Sequence, residues 1–215
     1  MKLFIYDHCP FCVKARMIFG LKNQPVRLIT LLNDDELTPT NMIGKKMAPI
    51  LQKDDGSYLP ESMDIVHYVD RLDGQPLLTG KTNPAIGDWL QQVGEYSAEL
   101  LLPRFAQADF EEFATDSARE YFTQKKQAAI GDFSTHLANS ADLIGRLEHD
   151  LQTLSPLIVA PDAVNGQLSE DDIQLFPLLR SLSIVAGVSL PDNVEAYRNR
   201  MADLSEVALL LDMEH

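Results

Sequence analysis

The order of strand and helix patterns most restricts the fold of this 215-residue chain. Over the first 73 residues, short runs of β-formers alternate with helical periodicities in the order β-α-β-α-β-β-α. This order predicts a small sheet covered by helices. From residue 85 onward only helical patterns occur. We therefore expect an α/β catalytic domain over 1–73, a Gly-, Pro- and Thr-containing linker over 74–84 and an all-helical domain over 85–215.

In the first domain, strands are predicted at 2–6 and 25–30, with two more inside 48–60 around an Asp-Gly turn. A helix is expected directly after the first strand, and a short one at 35–44. The amphipathic helix predicted at 61–73 would pack through Ile65, Val66, Tyr68, Val69 and Leu72.

The helical part contains one specific folding signal. Ser169 and Asp172 have the spacing of a capping box, and Leu168 and Ile173 flank them as a hydrophobic staple. We interpret this motif as a folding device without a catalytic part. Helices are expected near 85–102, 105–128, 130–152, 169–187 and 193–211.

The only two cysteines of the chain, Cys9 and Cys12, stand three residues apart in the segment HCPFC. Pro10 suits the first position of a helix, because it has no N–H to leave unpaired. Cys9 would then face the free N–H groups and the positive end of the helix dipole, which lower the pKa of a thiol. Cys12, one turn further in, would be the sheltered thiol that resolves a mixed disulfide at Cys9.

Other roles for the pair are less favoured by the residues. A structural disulfide is uncommon in the cytosol, which is the compartment expected without an export signal. A mononuclear zinc site needs about four ligands. His8 could join the cysteines, but the other histidines lack metal-ligand spacing. A cluster shared between two chains stays open, and no metal is expected in a single chain.

Two further segments could take part in a redox site. Pro49 lies where a loop enters a strand; a cis bond there would set the backbone of Ala48 beside Cys9, although a trans proline is commoner. Glu61 and Ser62 begin a predicted helix, whose N-terminus could hold the amino and carboxylate groups of a ligand. Ordinary capping explains these two residues equally well.

The charge of the chain restricts its partners. The net charge is −14, and residues 1–73 contribute −1 of it, from 9 basic and 10 acidic side chains. Residues 74–215 contribute −13, from 9 basic and 22 acidic side chains. This acidity disfavours nucleic acid and anionic lipid as partners. No apolar run is long enough to predict a transmembrane helix.

Three motifs follow one another along the first domain, namely CPFC, APIL and PESMDIVHYVD. Together they resemble the glutaredoxin and glutathione-transferase superfamily. Longer segments extend the resemblance to the two-domain bacterial glutaredoxins over essentially the whole chain. These segments are YDHCPFCVKARMIFGLKN, LLNDDELTPT, PILQKDDGSYLPESMDIVHYVD and NGQLSEDDIQLFPLLR.

The resemblance implies a thioredoxin-fold N-terminal domain and an all-α C-terminal domain of glutathione-transferase type. It implies reduction of protein disulfides and glutathione mixed disulfides, with glutathione as the reductant. By this pattern Cys9 is the nucleophile and Cys12 the resolving thiol. Ala48 and Pro49 match the loop that pairs with the cysteinyl part of glutathione, and Glu61 and Ser62 match the pair that holds its γ-glutamyl end.

The sequence departs from the one-domain glutaredoxins at a few positions. Ala48 stands where these proteins often carry Val, and their Gly-Gly turn is replaced by Glu61 and Ser62. No residue for the glycine carboxylate of glutathione transfers cleanly. The candidates are Lys45, Lys46 and Arg16, each of which could equally be solvated surface.

Two rival functions share the expected fold. Some transferases and dehydroascorbate reductases use one cysteine at the same position, but Cys12 completes a dithiol that such chemistry does not need. Chloride intracellular channel proteins have similar cysteine motifs and a proposed membrane insertion, which the lack of a long apolar segment here disfavours. We expect a cytoplasmic monomer whose partners are glutathione and disulfide-containing or glutathionylated proteins. Tyr96, Arg104 and Phe105 could line the cleft, although their helical spacing is more typical of packing residues.

Overall fold

The first part of the chain, residues 1–73, folds into alternating strands and helices in the computed structural model, which describes residues 1–215. The predicted order β-α-β-α-β-β-α is confirmed. Most predicted elements were too long by one to three residues at an end, where turns and caps replace regular hydrogen bonds. The elements are β1 (Lys2–Ile5), α1 (Pro10–Leu21), β2 (Arg27–Thr30), α2 (Leu37–Ile43), β3 (Ile50–Gln52), β4 (Tyr58–Pro60) and α3 (Ser62–Asp70).

The strands form one mixed sheet with the order β2-β1-β3-β4. β1 runs parallel to β2 and antiparallel to β3, and β4 is antiparallel to β3. Side chains alternate between the faces of a strand, so Leu3 and Ile5 join the large core beside α1 and α3. Phe4 and Tyr6 join a smaller cluster on the other face. Both faces of the central strand are therefore covered, and the site described below lies at its C-terminal end.

The packing predicted for α3 is confirmed at three positions and wrong at one. Ile65, Val66 and Val69 are buried, and Tyr68 is partly buried against the core. Leu72 is 42% exposed. The helix ends at Asp70, so the helical periodicity used in the prediction no longer applies to Leu72.

The second part, or helical part, from Pro84 onward contains helices joined by loops, and its helices are shorter and more numerous than predicted. Inside the helix predicted at 105–128 the chain turns at Ala108, which is extended. Gly131, with a φ of 95°, lies close to the predicted boundary between 105–128 and 130–152. A single turn of 3-10 helix, Glu111–Phe113, lies between two helices. The α-helices are α4 (Pro84–Gly94), α5 (Ser97–Gln107), α6 (Asp116–Ile130), α7 (Phe133–Ala138), α8 (Ser140–Leu154), α9 (Glu170–Leu182) and α10 (Asp192–Ser205). None of the helices has both the length and the apolar character needed to cross a membrane.

The capping box predicted at the start of α9 is confirmed. The Ser169 N–H donates to Asp172 Oδ2 at 2.9 Å. Asp172 also reaches beyond its own helix, because its Oδ1 accepts from the Val164 N–H at 2.7 Å and from the Tyr197 hydroxyl at 2.9 Å. The motif therefore joins α9 to the preceding loop and to α10.

The two parts pack directly on each other through α1, which lies against α9 and α10. Gly20 allows this approach, because a Cβ there would lie 1.9 Å from the carbonyl oxygen of Ser205. Arg180 crosses the same interface and donates to the carbonyl and to the carboxylate of Asp7 at 2.7 and 2.8 Å. A single core cluster contains side chains from both parts.

Candidate active site

Cys9 lies at the junction of β1 and α1. It is the N-cap residue of α1, with an extended backbone (φ −76°, ψ 119°), and Pro10 is the first helical residue. The Cys9 carbonyl accepts from the Val13 N–H at 3.0 Å, so the helix begins directly behind the thiol. The helix start predicted from the CPFC motif is confirmed.

The two thiols are free and lie in different environments. Cys9 is partly exposed, whereas Cys12 is fully buried and accepts a hydrogen bond from the Tyr6 N–H at 3.3 Å. A hydrogen bond from Cys12, the charge of His8 and the N–H groups of Cys12 and Phe11 outweigh burial and lower the pKa of the Cys9 thiol to about 6. Burial and the interaction with Cys9 raise the pKa of the Cys12 thiol.

Cys9 opens into a cleft between the two parts of the chain, with a volume of about 490 Å³. One wall comes from the first part and includes Lys46 and Ala48, and the other wall comes from α6. The Ala48–Pro49 peptide bond is cis, and Pro49 is buried. The structure therefore brings Cys9 and Ala48 to one cavity. The α6 side is formed by Tyr121, Phe122, Lys125, Lys126 and Ala129.

Glu61 and Ser62 lie at the start of α3 and do not line this cleft. Ser62 is buried, and the exposed side chain of Glu61 accepts a hydrogen bond from Lys45 Nζ at 3.2 Å. Glu61 has a φ of 68°, in the left-handed region that side chains rarely adopt. Such a conformation costs about 1–3 kcal/mol and is most often found at functional sites.

The three basic candidates separate in the structure. Lys46 lines the cleft and lies over the ring of Tyr121, with Nζ 3.7 Å from the ring centroid. Lys45 pairs with Glu61. Arg16 pairs with the carboxylate of Asp7, which also accepts a hydrogen bond from Arg180. Of the three, only Lys46 faces the cavity beside Cys9.

Tyr96, Arg104 and Phe105 are packing residues, as their helical spacing indicates. All three are buried, and none lines the cleft. The Tyr96 hydroxyl donates to Asp150 at 2.8 Å, and Arg104 donates to the His215 carbonyl at 2.9 Å.

His8 and Glu112 are the site residues that sequence reasoning did not connect. The Glu112 carboxylate accepts from the His8 N–H at 2.9 Å and lies 2.6 Å from the imidazole Nδ1. The two residues are 104 positions apart, and Glu112 lies in a segment predicted to be one continuous helix. No spacing pattern could have paired them. Nowhere do three or more His, Cys, Asp or Glu side chains converge in a way that could hold a metal ion.

Comparison with known protein families gives two adjoining matches. Residues 3–77 match the model of the glutathione S-transferase N-terminal domain. Residues 85–214 match the model of the glutaredoxin 2 C-terminal domain. The two matches together span nearly the whole chain.

Individual relatives agree with these matches. Glutaredoxin 2 of Escherichia coli strain K12 is 62% identical over 213 residues, which are 99% of each chain. The crystal structure of glutaredoxin 2 from Salmonella typhimurium in complex with glutathione is 64% identical, with a TM-score of 0.99, over 100% of this chain and 98% of that one. Gtt2 of Saccharomyces cerevisiae shares the fold alone, at 20% identity and a TM-score of 0.59 over 97% of this chain and all of that one. This chain belongs to the glutaredoxin 2 family.

Proposed function

We propose that this chain is a glutaredoxin, a glutathione-dependent enzyme that reduces protein disulfides and glutathione mixed disulfides through the couple Cys9/Cys12. The observation that carries the proposal is the contrast between the two thiols. Cys9 is partly exposed with a pKa of about 6, and Cys12 is buried with a raised pKa. Because the thiolate is the attacking form, Cys9 can act at neutral pH while Cys12 stays protonated.

Glutathione is the proposed reductant, and a close relative has been crystallised with it. Ala48 and Pro49 are the proposed partners of its cysteinyl part, which agrees with the position of Ala48 in the cleft beside Cys9. Glu61 and Ser62 are the proposed partners of the γ-glutamyl end, and the unusual backbone of Glu61 supports this role. Lys46 is the candidate for the glycine carboxylate, since it lines the same cavity and its ammonium group also donates to the Asn33 carbonyl.

Reduction of a glutathionylated protein begins with attack of the Cys9 thiolate on the glutathione sulfur. The protein leaves as a thiolate, and a Cys9–glutathione disulfide forms. A second glutathione thiolate then attacks the glutathione sulfur of this adduct. Glutathione disulfide leaves, and the Cys9 thiolate is regenerated.

Reduction of a protein disulfide uses both cysteines. Cys9 attacks one sulfur and remains joined to the protein, and Cys12 loses its proton and attacks Cys9. The protein leaves with two thiols, and a Cys9–Cys12 disulfide remains. Two glutathione molecules reduce this bond and leave as glutathione disulfide, so two electrons pass from glutathione to the protein.

The domain limits, the compartment, the oligomeric state and the partners of the chain are part of the same proposal. Residues 1–73 are proposed as the catalytic domain, 74–84 as the linker and 85–215 as the helical domain. The site of action is proposed to be the cytoplasm, where glutathione keeps thiols reduced. The working form is proposed to be a monomer that acts on disulfide-containing or glutathionylated proteins. The net charge of −14 supports the absence of nucleic acid and membrane partners.

Turnover of a small glutathione mixed disulfide in the presence of glutathione tests the function. Wild type should be active, and Cys9→Ser should lose at least about a hundredfold in rate, since the nucleophile is missing. Cys12→Ser should keep activity with this substrate, because glutathione itself resolves the adduct, but should lose activity with a protein disulfide. Full activity of Cys9→Ser, or no activity of wild type, would contradict the proposal.

A further inference from the structure

The contact between His8 and Glu112 joins the two parts of the chain next to Cys9. One carboxylate oxygen, Glu112 Oε1, receives both the backbone N–H of His8 and the imidazole nitrogen Nδ1. The carbonyl of Glu112 also accepts from the Asn33 N–H at 2.9 Å. Glu112 therefore holds the first part at two loops, one of which is the loop that carries Cys9.

This pair is closed off from solvent. Glu112 is 0% exposed and His8 is 7% exposed. The other carboxylate oxygen, Glu112 Oε2, is buried without a hydrogen-bond partner. A buried carboxylate needs a countercharge, and the imidazole of His8 is the basic group bonded to it. Aromatic rings enclose the imidazole at centroid distances of 5.1–6.0 Å, namely Tyr6, Phe105, Phe110, Phe113 and Phe122.

The surroundings of the imidazole consist of a carboxylate acceptor and aromatic rings. The carboxylate contributes a short charge-assisted hydrogen bond, and the faces of aromatic rings attract cations. His8 directly precedes Cys9 and lines the same cleft, so a positive charge on its imidazole would lie next to the reacting sulfur. The charge of His8 is one of the causes that lower the pKa of the Cys9 thiol.

We propose that Glu112 is a positioning residue for the thiol chemistry: through His8, the helical part of the chain keeps the Cys9 loop in place and a positive charge beside the Cys9 thiolate. The inference rests on the proposed function, in which Cys9 is the nucleophile. It assigns the helical part a direct influence on the reactivity of a cysteine that belongs to the other part.

The other charged groups near His8 and Glu112 are bound to other residues or lie on a different side of Cys9. Arg180, which lies close enough to Glu112 for their charges to interact, is bound to Asp7. Lys14 also interacts with the charge of Cys9, but from α1 on the side facing Gln174. Other titratable groups near the two residues are Tyr6, Cys12, Lys46, Arg119, Tyr121, Lys125 and Lys126.

The test is the pH dependence of alkylation of the reduced protein by iodoacetamide, with modification at Cys9 followed by peptide mass spectrometry. Glu112→Gln keeps an acceptor for the His8 N–H but removes the countercharge of the imidazole. Its Cys9 should react about three- to tenfold more slowly than wild type near pH 5.5, where only a fraction is thiolate, and at an equal rate near pH 9. The matched control is Glu111→Gln, the same change at the exposed neighbouring residue, which should leave the profile unchanged.

Two results would overturn the inference. Superimposable profiles for Glu112→Gln, Glu111→Gln and wild type would show that Glu112 does not act on Cys9. A faster reaction of Glu112→Gln at low pH would show that the negative charge of Glu112 itself dominates. If Glu112→Gln does not fold, Glu112→Asp keeps the charge but withdraws it from His8, and an unchanged profile would again overturn the inference. Glutathione-dependent turnover of wild type tests the proposed function separately, since that assay does not depend on the Glu112 variants.

Discussion

Glu112 and Asp172 are both acidic side chains of the helical part with no solvent exposure, yet their surroundings differ. Both oxygens of Asp172 are hydrogen-bonded, and its main partners come from the start of α9, the preceding loop and α10. Only one side-chain oxygen of Glu112 is hydrogen-bonded, and its partner, His8, belongs to the first part of the chain. Burial raises the pKa of Asp172, although its hydrogen bonds oppose this shift.

The comparison separates two uses of a buried carboxylate. A carboxylate whose oxygens are all satisfied inside one folding unit stabilises that unit, because removing it strands several buried donors. A carboxylate that is half satisfied across an interface contributes less to stability, and its charge is available to influence a neighbouring group. The following variants test whether the interior of the helical part and the interface between the parts differ in this way.

The largest effect is expected from Asp172→Ala. The change strands the N–H groups of Ser169 and Val164 and the hydroxyl of Tyr197, and each stranded buried donor costs about 1–3 kcal/mol. The free energy of unfolding in urea should fall by about 3–5 kcal/mol, while Cys9 alkylation of the folded protein stays as in wild type. The control is Glu170→Gln, which removes an exposed pair with His67 and should cost less than about 1 kcal/mol. Equal losses in the two variants would contradict the structural role of Asp172.

The next effect concerns packing at the interface. Gly20→Ala should lower the free energy of unfolding by about 3 kcal/mol, at the upper end for overpacking, because the obstructing atoms belong to the backbone of Ser205. Gly87→Ala is the matched control, since Gly87 lies inside α4 with no atom within 4 Å of an added Cβ. That variant should gain about 0.5–1 kcal/mol from helix propensity. If Gly20→Ala were also stabilising, the close approach of α1 and α10 would be incorrect.

A smaller loss of stability is expected from Glu112→Ala. The His8 N–H and imidazole lose their acceptor, but the unpartnered oxygen disappears as well, so the free energy of unfolding should fall by about 1–3 kcal/mol. Asp172→Ala and Glu112→Ala, measured under the same conditions, give the comparison directly. A greater loss for Glu112→Ala than for Asp172→Ala would reverse the ranking and assign the stabilising role to the interface.

Local patterns explain which features could be predicted from the sequence. The turn at Cys9 and Pro10, the element order of the first part and the capping box at Ser169 depend on residues close together in the chain. The break at 108–115 was missed because these residues include no Gly or Pro, and the turn there is stabilised by contacts of Glu112 with the distant residues His8 and Asn33. Leu72 was misplaced for a related reason, since periodicity does not show where a helix stops.

The features of the candidate site also divide into those that the sequence predicts and those that only the structure shows. The sequence by itself determined the two thiols, their order and the helix start that makes one more acidic than the other, because these effects act within a single turn. Only the tertiary structure decided which side chains face them: Ala48 and Lys46 on one wall, α6 on the other, and Glu112 bonded to His8. Partners so far apart in the chain meet only after the two parts pack on each other, and burial at their interface strengthens the hydrogen bonds between His8 and Glu112.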